Sequence, residues 1–525
     1  MTYATLLGLV SIPGSIAAPF VAAQDVAAQD VVAQDVPAPQ PLRVVVNSTA
    51  DEVLANDALT LREAIALTNG TLAASDLSTV EASLVTPATA VSQIAFDLGG
   101  DGTIRLQSEL PAIAQPVEIQ GKLAPDGMPL VGITPAAGVA VFRGLTIESD
   151  RVTVRELSIY GFTRTSPIGG LSIFDVINFN PGSIPDLRIP ANIFIGSQPY
   201  NASRPVPTDI TLENNWIGIA SNGDAAISAF GVYVFQGNNV TIRGNRIADH
   251  SGSGILAQVD AEQLQITDNT IERNGFTGIS DGIYLQGNVA GTRISDNRIQ
   301  SNAGSGIYLF KPEGSVTIEG NTLTNNGLLR EKAAIFLMGS DHQVMDNQIV
   351  DQNGSGVAIA AAPTSRRNLI RGNQFANLNG LSIDLVSQQN TEPYSFATGD
   401  GANPRMESFQ RRRQTANFGI DAPQFASREF YLSPSGNVIL QGTAAPDATI
   451  EIYRVTEAVA EGDRGPLNEA IATAQTNAEG EFSIMLSDLQ PGDTLSATAT
   501  HPDSGTSEPA ANFVIRSLPP RASTP

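Results

Sequence analysis

The residues of this chain best suited to chemistry are five acids, Asp249, Asp281, Glu313, Glu331 and Asp341, and two lysines, Lys311 and Lys332. Two carboxyls facing one cleft, one of them protonated, could hydrolyse a glycosidic bond. A Lys base beside a calcium held by carboxylates could instead remove the proton next to a sugar carboxylate. On these grounds Asp281, Asp341 and Lys311 are the catalytic candidates; scattered surface charge is the competing account. The same stretch carries Tyr233, Tyr284, Tyr308 and Phe336, with Leu256 in the same frame. A row of flat rings could stack on the sugars of an extended glycan. The alternative is that the rings stack on one another or lie beneath a loop or the C-terminal region.

Asp97, Asp101 and Asp400 lie in turns rich in Gly and Asp and are the candidate ligands for calcium, the one cofactor the sequence suggests. They match no EF-hand or nonapeptide repeat, and polar turns account for them as well. There is no cysteine, and His250, His342 and His501 are too far apart for a local metal motif. A net charge of −23 and a short basic run, Arg411 to Arg413, argue against a nucleic-acid partner.

These side chains are carried by a repeat. Asn recurs at 215, 245, 269, 297, 321, 347 and 373. An apolar residue stands three before each (Leu212, Ile242, Ile266, Ile294, Ile318, Val344, Ile370), and another two after (Ile217, Ile247, Ile271, Ile299, Leu323, Ile349, Phe375). A second column, small-apolar-x-apolar, includes Gly282-Ile-Tyr-Leu and Gly306-Ile-Tyr-Leu. Apolar positions alternate with period two, which excludes an α-solenoid. Two or three short strands per repeat cannot each bury a face alone, but they can if the chain coils and stacks like on like. The pattern predicts an all-β chain, a right-handed parallel β-helix of about eleven coils, with Asn side chains bonded in a ladder along one corner. Asp268, Asp296 and Asp346 share a column with Gly244, Gly320 and Gly372, which marks a left-handed turn rather than a carboxylate row. His250 shares its column with Asn274, Asn302, Asn326 and Gln352 and is expected in a ladder too.

The rest of the chain divides by composition. Residues 1–23 read as a signal peptide, apolar and ending in Val21-Ala22-Ala23, although no Lys or Arg precedes Arg43; an uncleaved anchor is the other reading. Residues 24–42 are a low-complexity tether repeating Ala-Gln-Asp-Val. An N-terminal capping segment with one short helix is expected over 43–93 and the β-helix over 94–390. The Pro-rich stretch 163–209 reads as one long excursion from a coil. A polar linker follows over 391–422, then an Ig-like β-sandwich over 423–517 and a loose tail over 518–525.

Several stretches resemble a family of bacterial secreted β-helix proteins named for a Cys-Ser-Leu-Arg-Glu-Ala signature. They are Val46-Asn-Ser-Thr-Ala-Asp51 with Leu59-Thr-Leu-Arg-Glu-Ala-Ile65, Trp216-Ile-Gly-Ile-Ala-Ser-Asn-Gly-Asp224, Ile383-Asp-Leu385 with Gly399-Asp-Gly401, and Thr506-Ser-Glu508. Leu59 and Thr60 stand where the signature has Cys and Ser. The coils are also similar to those of pectate-lyase-like and NosD-type proteins, but lack the Gly-His-Gly and Asn-Thr-Asp of polygalacturonases. The resemblance implies fold and export and no particular reaction. The sequence therefore supports an exported protein that binds a polysaccharide or cell-surface component along an outer face without chemistry. The alternative is a polysaccharide lyase or glycoside hydrolase.

Overall fold

In the computed structural model the described residues are 40–99, 102–163, 188–198, 204–276, 281–329, 331–361, 364–387, 397–459 and 462–518. Residues 1–39, read from the sequence as a signal peptide and most of a tether, and most of the tail lie outside them. None of the described helices is long and apolar enough to cross a membrane.

The chain forms a right-handed parallel β-helix of about ten turns, built from sheets of twelve, ten and nine strands. From Val117–Gln120 onward each turn contributes one strand to each sheet. One turn, for example, runs through Thr292–Ser295, Arg298–Gln300 and Ile307–Glu313. Parallel pairing in register puts Ile266 beside Ile294, Ile294 beside Ile318, and Ile271 beside Ile299. The expected aliphatic columns therefore fill the lumen, and all of their members are buried.

The Asn column forms the expected ladder. The side-chain oxygen of Asn297 accepts the backbone N–H of Asn269 at 2.9 Å and its side-chain nitrogen at 3.0 Å. The Asn297 amide in turn donates to Asn321 and to the Ile266 carbonyl. This pattern runs from Asn215 to Asn373, so each corner meets its polar needs from the next. The residue before each Asn is left-handed: Asp268, Asp296 and Asp346 have φ of 56°, 58° and 55°, and Gly320 has 65°. Asp and Gly share the column because both tolerate that geometry.

Two stretches differ from expectation. Ala191–Ile195, inside the supposed excursion, is a full strand of the nine-stranded sheet, pairing with Arg143–Ile147 and Phe230–Gln236. Its Ala-Asn-Ile-Phe-Ile fits the second column, but prolines on both sides mask the spacing. The supposed linker carries a helix, Phe409–Arg413, and buries Ala416, Asn417 and Ile420, so it is docked rather than loose. The C-terminal region has a three-stranded and a six-stranded sheet sharing a core that includes Phe425, Phe482 and Phe513. It covers the open end of the β-helix rather than a side. The Leu467 carbonyl accepts the N–H of Phe375, and the Thr506 hydroxyl that of Ile370.

At the other end, helix Leu61–Asn69 starts from a capping box of Thr60 and Glu63. Arg62 forks onto Asp51 at 2.8 and 2.9 Å and reaches the carbonyls of Ser108 and Glu109. Leu59 is fully buried in the core. These residues close the start of the helix.

Asn297→Ala strands the Asn269 donors and the Ile266 carbonyl, and is expected to cost about 1–3 kcal/mol. Asp296→Gly should be nearly neutral, whereas Asp296→Val should cost about 1–2 kcal/mol from left-handed strain. Urea unfolding midpoints of the three variants check this order.

Candidate functional site

The nine-stranded sheet carries an outward column of Thr146, Phe194, Tyr233, Leu256, Tyr284, Tyr308, Phe336, Ala358 and Asp384. All four expected rings are in it, but they are not a free stacking platform. Tyr233, Tyr284 and Phe336 are buried, with at most 2 % of their surface exposed. Tyr284 lies 5.3 Å from Tyr308 at 12°, and Tyr308 lies 4.8 Å from Phe336 at 17°. Parallel strands are spaced about 4.8 Å apart, close to an aromatic stacking distance, so in-register rings pair face to face and offer outsiders only their edges. Tyr308 and Phe310 remain partly exposed, between two outer apolar clusters.

Two candidates from the sequence meet here. Asp281 is fully buried; its Oδ1 accepts the Ser305 N–H at 2.7 Å and the Lys332 ammonium at 3.2 Å. Among the described residues its Oδ2 and the Ser305 hydroxyl are buried without hydrogen-bond partners. Burial raises the Asp281 pKa, partly offset by Lys332. The Lys332 Nζ also sits 5.1 Å from the Tyr308 ring, and the Nζ of exposed Lys311 sits 5.1 Å from Phe310. The chain has only three lysines, Lys122, Lys311 and Lys332, so two of the three converge on one aromatic spot.

The other acids lie apart from this group. Asp341 is half exposed and forks onto Arg367, which holds its carboxyl below the usual range. Asp249 pairs with Arg273 at 2.8 and 2.9 Å. Glu313 and Glu331 are exposed. His250 is a ladder member: Nδ1 meets the Asn274 oxygen at 2.7 Å and Nε2 meets Asn192 at 3.0 Å. Burial lowers its pKa to about 4, so it is neutral. His342, whose pKa burial also lowers, heads a further ladder through Asn368 to Asn417, which the spacing did not reveal.

At the last turn the column ends in Asp384, where the segments around Asp384, Asp400 and Glu508 meet. The Asp384 carboxylate accepts the N–H groups of Asp400 and Gly401 at 3.2 and 3.0 Å. Glu508 accepts those of Leu385 and Asn403, and Asp400 that of Ser387. Burial, then repulsion from Glu508, pushes the Asp384 pKa well above the carboxylate range; burial pushes Glu508 to about 7. Each of these carboxylates takes up backbone donors from a different segment, so the cluster works as a clamp. Among the described residues no three His, Cys, Asp or Glu are grouped to hold a metal ion. Asp97 is exposed, and Asp101 lies outside the described residues. Asp384 and Glu508 were missed as a site because nothing in the local sequence marks them as partners.

The comparisons agree with this architecture. Residues 191–311 and 276–393 match the family model described as right handed beta helix region. The uncharacterized protein YwoF of Bacillus subtilis (strain 168) is 30 % identical over 133 residues, which cover 24 % of this chain and 28 % of that protein. Among solved structures, pectate lyase Pel9A aligns over 69 % of this chain and 81 % of its own, at 12 % identity and a TM-score of 0.31. DFA-IIIase from Arthrobacter chlorophenolicus A6 aligns over 59 % of this chain and 78 % of its own, at 13 % identity and a TM-score of 0.35. These are likenesses of fold.

Two outcomes follow from the charges. Lys332→Met leaves the Asp281 carboxylate buried and uncompensated, a loss of about 3–5 kcal/mol near neutral pH. The deficit should shrink as the pH of denaturation is lowered, because burial favours a protonated Asp281. At the clamp, the folded chain holds protons on Asp384 and Glu508 more tightly than the unfolded chain does. Their stabilising contribution is complete below the ordinary carboxylate range and is lost as pH climbs through neutrality. Melting temperature should therefore fall between pH 5 and pH 8, and Asp384→Asn should flatten that slope.

Proposed function

We propose that this is an exported β-helix protein of the Cys-Ser-Leu-Arg-Glu-Ala type that binds extended acidic carbohydrate on the outer face of its nine-stranded sheet. The observation that carries the reading is the convergence of Lys311 and Lys332 on Tyr308 and Phe310, in a chain of net charge −23 with three lysines in all. Ring edges and the Tyr308 hydroxyl meet sugar hydroxyls, and the exposed Lys311 ammonium meets a sugar carboxylate. Repeating turns suit a repeating polymer, which can lie along the face with successive residues over successive coils. Export rests on the apolar, small-residue start of the sequence, and the carbohydrate on this polar and aromatic patch.

A catalytic reading has one observation in its favour: Asp281 is a buried carboxyl with a raised pKa, beside a lysine, as a general acid would be. Both readings meet in one experiment. The full chain is incubated with acidic and neutral polysaccharides, with and without calcium, and polymer size and co-elution are followed. Binding predicts intact acidic polymer retained with the protein, and a roughly tenfold loss of affinity in Phe310→Ala or Lys311→Asn. Asn keeps the left-handed backbone of position 311, where φ is 45°. Equal retention by both variants overturns the binding site. Shortened polymer that stays intact with Asp281→Asn establishes the enzyme instead.

A further inference from the structure

A second site lies where the β-helix ends. The docked segment 403–425 and the C-terminal sheets leave a cleft of about 350 Å³ between them and Leu385. Three arginines line it, Arg405, Arg428 and Arg464. Among the described residues none of the three has a carboxylate within ion-pair distance. Arg405 donates to the Gln424 side chain at 3.3 Å and Arg464 to the Pro509 carbonyl at 3.3 Å, and Arg464 also favours the charged form of nearby Glu508. The two acids of the cleft are already engaged. Asp421 pairs with Arg412 and accepts the Met406 N–H, and Glu508 accepts from Leu385 and Asn403. Met406, Ile420 and Phe425 supply an apolar floor.

Several arginines of the coils are tied to acids instead, as Arg273 is to Asp249 and Arg367 to Asp341. Guanidinium groups fit carboxylates in a fork and are far stronger ligands when no internal acid competes. The volume suits one or two sugar rings, at the small end of ordinary ligand pockets of about 300–1,000 Å³. An apolar floor under polar walls suits a pyranose, which has an apolar face and a polar rim.

We propose that the cleft between the last turn and the C-terminal sheets binds a uronate, as a free acid sugar or a short acidic oligosaccharide, through Arg405, Arg428 and Arg464. The site stands on different residues from the outer-face patch and does not depend on it. Binding here draws the β-helix, the docked segment and the C-terminal sheets onto one ligand.

Digalacturonate is titrated calorimetrically into the full chain, with cellobiose and sodium sulfate as controls. One molecule per chain should bind, cellobiose should not, and sulfate should bind at least about tenfold more weakly. The double variant Arg405→Gln/Arg428→Gln, at two exposed positions, should lose at least about tenfold in affinity at an unchanged melting temperature. Lys311→Asn should bind digalacturonate as the native chain does, which separates this site from the outer face. Unchanged affinity in the double variant overturns the proposal, as does the absence of digalacturonate binding at millimolar concentration. Sulfate binding as tightly as digalacturonate reduces the cleft to a general anion site and overturns the sugar assignment.

Discussion

Everything in this protein depends on one constraint: each turn must hydrogen-bond to the next in parallel register, strand on strand, along the whole stack. A shift of one residue at any coil would turn its aliphatic side chains out of the lumen and break the corner ladder together. The constraint explains why like stands on like. An Asn at a corner is satisfied only by another group above and below it, so the ladder continues from Asn215 to Asn373 without a gap. Where no Asn is present, as at Leu157, the chain offers a backbone N–H to the ladder's first member instead. The same rule acts on the outer face. It places Tyr284, Tyr308 and Phe336 at stacking distance and thereby consumes the ring faces that a ligand would need.

A stack has two ends, and each end exposes three strand edges that would pair with any passing strand. The first is closed by a helix, a fork of Arg62 on Asp51, and an antiparallel strand, Val85–Pro87. The second is closed by the C-terminal sheets, whose residues 367–375 neighbours include Ser504, Thr506 and Leu467. A ladder crosses this junction, from Asn368 to Asn417 and on to the Thr506 carbonyl. The C-terminal region therefore continues the β-helix's own bonding, and the carboxylates of Asp384 and Glu508 belong to that continuation.

The repeat was legible because its period is local and its columns are chemically uniform. The lumen, the corner ladder, the left-handed Asp and Gly positions and the structural place of His250 all follow from spacing. Ala191–Ile195 was hidden because prolines on either side disturb the count, although its alternation is regular. For the aromatic column, spacing shows which way a side chain points and leaves both a free platform and self-stacked rings open; the structure has the rings stacked on one another. Asp384, Asp400 and Glu508 lie up to 124 residues apart in the chain and meet only through the docking of the C-terminal sheets, which no local pattern encodes. The Asp281 and Lys332 pair spans 51 residues, or two coils, and escapes for the same reason.

Charge offers a way to tell function from architecture in such a stack. Arg243 with Glu213, Arg273 with Asp249, Arg293 with Glu319 and Arg367 with Asp341 are partners 30, 24, 26 and 26 residues apart. That is one coil in each case, the spacing at which surface pairs arise simply because stacked positions touch. Exposed pairs of this kind add little stability singly, but they neutralise the column they occupy. A cation with no acid in ion-pair contact among the described residues keeps a charge that this pairing does not use. Lys311 beside Phe310, and Arg405, Arg428 and Arg464 around the terminal cleft, are such cations. In a chain that carries 53 acids against 30 bases, unpaired positive charge beside apolar surface is the arrangement hardest to attribute to folding alone. It is also the arrangement that an acidic sugar, with a carboxylate and an apolar ring face, would complement.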